Sequence, residues 1–129
     1  MKYVLLIYSN PASWEHPMFL HQHEAISSEE RDARMSEFTA LLEEIAESGE
    51  LIDHAALADP LISATVRVRD DVLDVTDGPF VDAKEHLAGY FVVDCETAER
   101  AKEIAARFPD ARSCAVEVRP IMDLSGMEM

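Results

Sequence analysis

Two arginines on predicted strands are the side chains of this sequence best suited to holding an anion. Arg67 and Arg119 each alternate with valines, so both guanidinium groups point to the side of the strand opposite the valines. A guanidinium group presents a planar fork of N–H donors that matches a carboxylate. The sequence therefore predicts that both arginines bind a carboxylate ligand. The alternative is an internal ion pair with Glu117 or Asp77, or a charge that keeps an edge strand soluble.

A tight turn carries the second group of charges that could serve a site. Asp77-Gly78-Pro79 is typical of such a turn, and Lys84-Glu85 comes just before the next predicted strand. These charges would reach a cleft between two subunits. Alternatively, Asp77 only binds backbone amides of its own turn, as aspartate does at the first position of many turns.

Three histidines lie in the long loop that follows the first predicted strand. Imidazole is a common metal ligand, but the spacing of His16, His21 and His23 is not that of a structural zinc motif. We interpret them as solvated loop residues and predict neither a metal nor a cofactor. The sequence has no phosphate-binding glycine loop and no nucleophile elbow. No catalytic residue is therefore assigned.

Length and charge narrow the class of protein. The chain has 129 residues and a formal net charge of −15, which suits one domain, assigned to residues 1–123 with a frayed tail at 124–129. So negative a surface disfavours binding to nucleic acid or to anionic lipid. The apolar run at residues 3–8 is too short for a membrane span or a signal peptide. The sequence predicts a cytoplasmic protein with reduced thiols at Cys95 and Cys114.

Hydrophobic periodicity divides the chain into strands and helices. Strands are predicted at residues 2–8, 51–52, 64–69, 72–76, 87–93 and 116–119. A helix with apolar residues at spacings of three and four begins at a capping box of Ser27 and Glu30 and ends at Gly49. A second helix, capped by Asp94, ends at Pro109.

The order of these elements predicts an α+β, ferredoxin-like fold with a split βαβ pattern. Two helices cover one face of its sheet, yet the strands at 2–8 and 87–93 are apolar on both faces. The uncovered face would exceed the apolar patch of a few hundred Å² that monomers usually tolerate. A second copy packed about a two-fold axis would cover it, so the sequence predicts a homodimer. In this strand order Cys95 and Cys114 lie about 9–10 Å apart, too far for an unstrained disulfide.

Several motifs occur in a recognisable order along the chain. The turn Asp77-Gly78-Pro79-Phe80 is accompanied by the opening strand at 1–8, the strand start at 64–67, Lys84-Glu85, Gly89-Tyr90 and the closing segment at 116–120. Together they resemble the DGPF-domain proteins of the YCII-related superfamily. The resemblance implies a ferredoxin-like protomer that pairs into a dimeric α/β-barrel. It implies no defined activity, since none is established for the DGPF branch, whose members often accompany extracytoplasmic-function sigma factors in genomes.

Some YCII-related relatives are suspected enzymes because a histidine on the first helix and an acidic residue form a dyad. Phe38 occupies the corresponding position here, so a dyad of that design is absent. We therefore predict a homodimer that binds a small polar or anionic molecule, with no assigned reaction. Its predicted pocket residues are Tyr8, Arg67, Asp77, Lys84, Tyr90 and Arg119. Two alternatives stay open: a cofactor-free isomerase, decarboxylase or oxygenase of the dimeric α/β-barrel type, and a protein-interaction module of a sigma-factor pathway.

Overall fold

Strands and helices form close to where the sequence patterns predict them. The computed structural model describes residues 1–10, 28–81 and 85–123. Within these residues the strands are β1 (Lys2–Ser9), β2 (Leu51–Ala56), β3 (Ala64–Arg69), β4 (Val72–Asp77), β5 (His86–Asp94) and β6 (Ala115–Pro120). The helices are α1 (Ser28–Glu47), α2 (Ala98–Ala106) and α3 (Asp110–Ser113), with a 3₁₀ turn at Pro60–Ile62. β2 is longer than predicted, and α3 was not predicted.

Four of the strands form one antiparallel sheet in the order β2-β5-β1-β6. β1 lies between β5 and β6, so Leu6 stands opposite Tyr90 on one side and opposite Glu117 on the other. This order is compatible with the predicted ferredoxin-like arrangement, and the predicted α+β class is confirmed. Within the described part of the chain, β3 and β4 pair only with each other, as a hairpin inserted between β2 and β5.

The hydrophobic core lies between one face of the four-stranded sheet and the helices α1 and α2. Alternation along β1 places Leu5 and Ile7 on this face, and both are fully buried. Phe91 of β5 meets Phe38 of α1 edge-on at 6.0 Å between ring centroids, and Phe108 at 4.8 Å. This aromatic cluster ties both helices to the centre of the sheet.

The first helix ends where the sequence predicts. Gly49 follows the last turn with φ at +82°, in the left-handed region that favours glycine at this position. Its backbone N–H donates to the carbonyl of Ala46 at 3.2 Å. The other end of the prediction, the capping box that begins at Ser27, lies outside the described residues.

The second helix begins later than predicted. Thr97 caps it, because the Thr97 side chain accepts a hydrogen bond from the backbone N–H of Arg100 at 3.1 Å. The predicted cap at Asp94 is wrong, since β5 continues through this residue. The carboxylate of Asp94 instead accepts a hydrogen bond from the terminal amino group of Met1 at 3.1 Å.

Apolar side chains also lie on the face of the sheet that points away from the core. Val4, Leu6 and Tyr8 of β1 and Tyr90 and Val92 of β5 are half-buried there. We call these five residues the second face. None of the core side chains that α1 and α2 contribute within the described regions lies on it. As the sequence predicts, β1 and β5 are apolar on both sides.

The hairpin of β3 and β4 projects from the rest of the fold. Asp70 and Asp71 form its tip with φ at +51° and +65°, which suits a two-residue hairpin turn. Its root is closed where the backbone N–H of Gly78 donates to the carbonyl of Ser63 at 2.7 Å, and the hydroxyl of Thr65 donates to the carbonyl of Gly78 at 2.8 Å. Except for Thr65, every residue of both strands is exposed.

Candidate functional site

Three polar side chains meet at one side of the second face. The phenol of Tyr8 donates a hydrogen bond to Oε1 of Glu117 at 3.1 Å. Arg119 donates from Nε and Nη2 to Oε2 of the same carboxylate, at 3.1 and 2.6 Å. Glu117 and Arg119 share this face because they are two residues apart on one strand. We call Tyr8, Glu117 and Arg119 the polar triad.

The polar triad carries one negative and one positive charge at neutral pH. The hydrogen bond from Arg119, followed by that from Tyr8, lowers the pKa of Glu117 below its ordinary value. Burial raises the pKa of Tyr8, and the hydrogen bond and negative charge of Glu117 raise it further. Both groups therefore titrate away from neutrality. The triad offers hydrogen-bond donors and acceptors rather than a proton-transfer group matched to neutral pH.

Replacing Glu117 by glutamine is expected to lower the pKa of Tyr8. The substitution removes the negative charge and the strong acceptor, while burial, the largest cause of the upward shift, remains. The Tyr8 pKa should therefore fall but stay above the ordinary tyrosine value of about 10. The measurement is the ¹³Cζ shift of tyrosine against pH, with Tyr8→Phe identifying the signal. Glu96→Gln, at an exposed carboxylate, is the control, and an unchanged Tyr8 pKa in Glu117→Gln would contradict the hydrogen bond.

The second face places three of the predicted site residues together. Tyr90 stands opposite Leu6, and Leu6 stands opposite Glu117, so these side chains form one row across three strands. Two strand spacings separate Tyr90 from Glu117 by roughly 10 Å. Tyr8 and Arg119 flank the same row. The arrangement is an apolar surface with a polar group at one end and a tyrosine at the other.

Arg119 forms the internal ion pair that the sequence offered as an alternative. Its guanidinium group lies 2.6 Å from the carboxylate of Glu117, yet the side chain remains 64% exposed. Its Nη1 group has no hydrogen-bond partner among the residues that the structure describes, so one edge of the fork remains for a ligand. From the sequence, Glu117 is predicted only as an ion-pair partner of Arg119. The signal that it belongs to the site is its two-residue spacing from Arg119 on one strand.

Two other predicted site residues, Arg67 and Asp77, are not on the second face. Arg67 and Asp77 belong to the separate hairpin. The guanidinium carbon of Arg67 lies 5.3 Å from the ring centroid of Phe80, and Arg67 stands opposite Asp74 in the hairpin. Lys84 lies outside the described residues. Of the five predicted pocket residues that the structure describes, one copy of the chain thus brings three together.

The two cysteines are free thiols at opposite ends of the sheet. Cys95 follows the end of β5 and Cys114 precedes the start of β6, and these strands run parallel to each other on either side of β1. The predicted separation of two strand spacings is wrong because it omits the length of the strands. Cys114 donates from Sγ to Oε2 of Glu85 at 2.8 Å, and burial together with this hydrogen bond raises its pKa to about 12. A neutral thiol of this kind is a poor nucleophile.

Within residues 1–10, 28–81 and 85–123, no group of three or more potential ligands is placed to hold a metal ion. His54 stacks on Phe91, with ring centroids 5.2 Å apart. His16, His21 and His23 lie outside the described residues. No helix of the same regions combines the length and the apolar character needed to cross a membrane.

Two open grooves lie away from the second face. The first, of about 420 Å³, is at the root of the hairpin and is lined by residues that include Leu57, Ile62, Pro79, His86 and Leu87. The second, of about 560 Å³, lies beside Arg100, whose guanidinium group is already bonded to Glu50 and Glu44. Neither groove is lined by a predicted pocket residue.

Comparison with known proteins agrees with the fold and the motifs. The family model of the YCII-related domain matches residues 1–125. The chain is also 32% identical over 99 residues to a protein of Rhizobium meliloti (strain 1021) named "Uncharacterized protein R00369". The matched segment covers 75% of this chain and 80% of that protein. The chain belongs to the YCII-related family.

Proposed function

We propose that the chain is a cytoplasmic homodimer that binds a small polar or anionic molecule between the second faces of two copies. The observation that carries the proposal is the polar triad, which lies beside the apolar side chains of the second face. Ligand sites are typically apolar cavities with a few convergent polar groups. The polar triad supplies such groups, and a second copy would supply the opposite wall.

Burial of the second face favours association of two copies. Burying its aliphatic and aromatic side chains stabilises the dimer by about 25 cal/mol for each Å² of apolar surface removed from water. A two-fold axis lets the same patch serve both copies. Two sheets packed in this way would make the dimeric α/β-barrel that the resemblance to DGPF-domain proteins implies.

Arg119 determines which ligand the proposed pocket accepts. Glu117 occupies one edge of the guanidinium fork, while Nη1 is left to bind a carboxylate oxygen of a ligand. Tyr90, across the sheet, offers a ring and a hydroxyl group. Arg119 lies two strand spacings across the sheet and two residues along the strand from Tyr90. A molecule with one carboxylate and an apolar body of roughly 10–12 Å would reach from Arg119 to Tyr90.

Under this proposal, the predicted residues that do not lie on the second face would come from the partner chain. Arg67 and Asp77 lie on opposite faces of the projecting hairpin. A hairpin packed against the other copy would therefore turn one of the two side chains, rather than both, towards the pocket of that copy. The enzyme alternative gains no support from the polar triad, because Glu117 and Tyr8 have pKa values shifted away from neutrality in opposite directions. Binding is the function that the arrangement favours.

Replacing Arg119 by alanine is expected to reduce retention of a co-purified molecule at least about tenfold, because a charge-assisted hydrogen bond contributes roughly 1.5–3 kcal/mol. Retention is measured by mass spectrometry of small molecules released from the purified protein, and benzoate is titrated by NMR as a defined carboxylate probe. Arg112→Ala is the matched control, since that arginine is 77% exposed on α3. Equal retention by both variants would contradict the site.

Arg67→Ala tests whether the hairpin contributes to the pocket. Loss of retention in a variant that still forms dimers would place Arg67 in the site of the other copy. Retention equal to that of the original protein would count against Arg67 as a pocket residue and leave the role of Arg119 intact.

A further inference from the structure

The projecting hairpin has one apolar face and one polar face. The pairs Val66 with Val75 and Val68 with Leu73 lie on the same face, because residues directly opposite each other in an antiparallel pair share a side. These four side chains are 60%, 55%, 64% and 65% exposed, respectively. Asp77, opposite Ala64, lies on this face at the root of the hairpin. The opposite face carries two threonines and the pairs of Arg67 with Asp74 and Arg69 with Val72. We call the four aliphatic residues the hairpin patch.

A hairpin of this kind is unstable on its own. An isolated two-stranded hairpin is at best marginally stable in water, and it becomes stable when a further strand or another surface packs against it. The hairpin patch lies on a projection whose strands pair only with each other. A surface that covers the patch would therefore also hold the hairpin in place.

We infer that the hairpin is a dimerisation arm that packs through the hairpin patch against a second copy of this chain. The inference rests on the proposed homodimer and identifies a second part of its interface. The residues of the second face are already half-buried within one chain, so they offer only part of the roughly 800 Å² that each partner contributes to a standard interface. The more exposed hairpin patch supplies further apolar area.

The distribution of charge favours contact with a second copy through this face of the hairpin rather than through its edges. A chain with a net charge of −15 repels its own copies except through uncharged surfaces. β3 carries Arg67 and Arg69, and β4 carries Asp74 and Asp77. Pairing either edge with itself about a two-fold axis would set like charges side by side. The hairpin patch has no charged residue, and Asp77 lies on the same face only at the root of the hairpin. The patch is therefore the part of the hairpin best suited to meet a second copy, in addition to the second face.

A pair of neighbouring substitutions tests the arm. Val75→Glu adds a charge to the hairpin patch, whereas Thr76→Glu adds the same charge to the polar face of the same strand. We expect Val75→Glu to raise the dimer dissociation constant at least about tenfold, because burying an unpaired charge is costly, and Thr76→Glu to change it less than about threefold. Sedimentation equilibrium measures both values, and circular dichroism verifies that each variant is folded.

The outcomes separate this inference from the proposed function. If the original protein is dimeric and both variants have equal dissociation constants, the inferred dimerisation arm is wrong and the proposed dimer is unaffected. A monomeric original protein would overturn both.

Photo-cross-linking gives a measurement that does not depend on a destabilised variant. A benzophenone amino acid at position 75 is irradiated in a mixture of ¹⁴N- and ¹⁵N-labelled chains, with position 76 as the control. Cross-links between light and heavy chains from position 75 would support the arm, and the mapped peptide would locate its contact. Cross-links within one chain only, or to another protein only, would overturn it.

Discussion

Replacing Leu6 by glutamate is expected to convert the proposed homodimer into folded monomers. Leu6 lies in the middle of the second face, between Tyr90 and Glu117 on the neighbouring strands. The substitution removes a side chain whose full burial contributes about 1.5–3 kcal/mol, and it adds an unpaired charge beside the carboxylate of Glu117. A loss of about 4 kcal/mol in the free energy of association raises a dissociation constant about a thousandfold. Sedimentation equilibrium measures this change.

A matched charge on the other side of the molecule provides the control. Ala40→Glu places the same group at an exposed position of α1, so it changes the net charge equally without touching the second face. The control protein should keep the dissociation constant of the original chain within about threefold, since exposed charges interact weakly. If Leu6→Glu and Ala40→Glu give the same mass in solution, the second face is not the dimer interface.

Local periodicity explains why much of this arrangement can be predicted from the sequence. In a strand, side chains alternate strictly between two sides. The apolar residues on both sides of β1 and β5 therefore indicate two surfaces to cover, and the spacing of Glu117 and Arg119 places both on one face. Gly49 likewise marks the end of α1, because few other residues adopt its backbone conformation readily. These features depend only on neighbours in the chain.

Other features depend on which elements meet, and alternation carries no such information. Arg67 is correctly placed on the side of β3 opposite the valines, but no local pattern tells that β3 and β4 form a sheet of their own. The pocket prediction therefore mixes residues of two sheets. The cap of α2 shows the same limit. Asp94 has suitable chemistry for a cap, but β5 extends through Asp94, so Thr97 caps the helix instead.

Phe38 packs in the core of the protein, at the position where the resemblance led to the expectation of a histidine. It is 2% exposed and meets Phe91 and Phe108 edge-on, so its ring joins α1 to the sheet and to the segment that follows α2. Its side chain lies on the core side of the sheet, and the polar triad lies on the other. The first helix of this chain therefore stabilises the sheet without supplying a polar group to the second face from this position.

Replacing Phe38 by alanine is expected to lower the free energy of unfolding by about 3–5 kcal/mol, because the loss of the ring leaves a cavity that the core cannot close. Urea denaturation at one protein concentration measures the change, since dimer formation makes apparent stability depend on concentration. Phe80→Ala is the control, because that ring is 68% exposed in the segment that follows β4, and the variant should lose less than about 1 kcal/mol. Phe38→Leu should fall between the two, since it keeps most of the buried apolar volume. A loss below about 1 kcal/mol in Phe38→Ala would contradict the central place of this ring, because fully buried aromatic side chains rarely tolerate truncation so well.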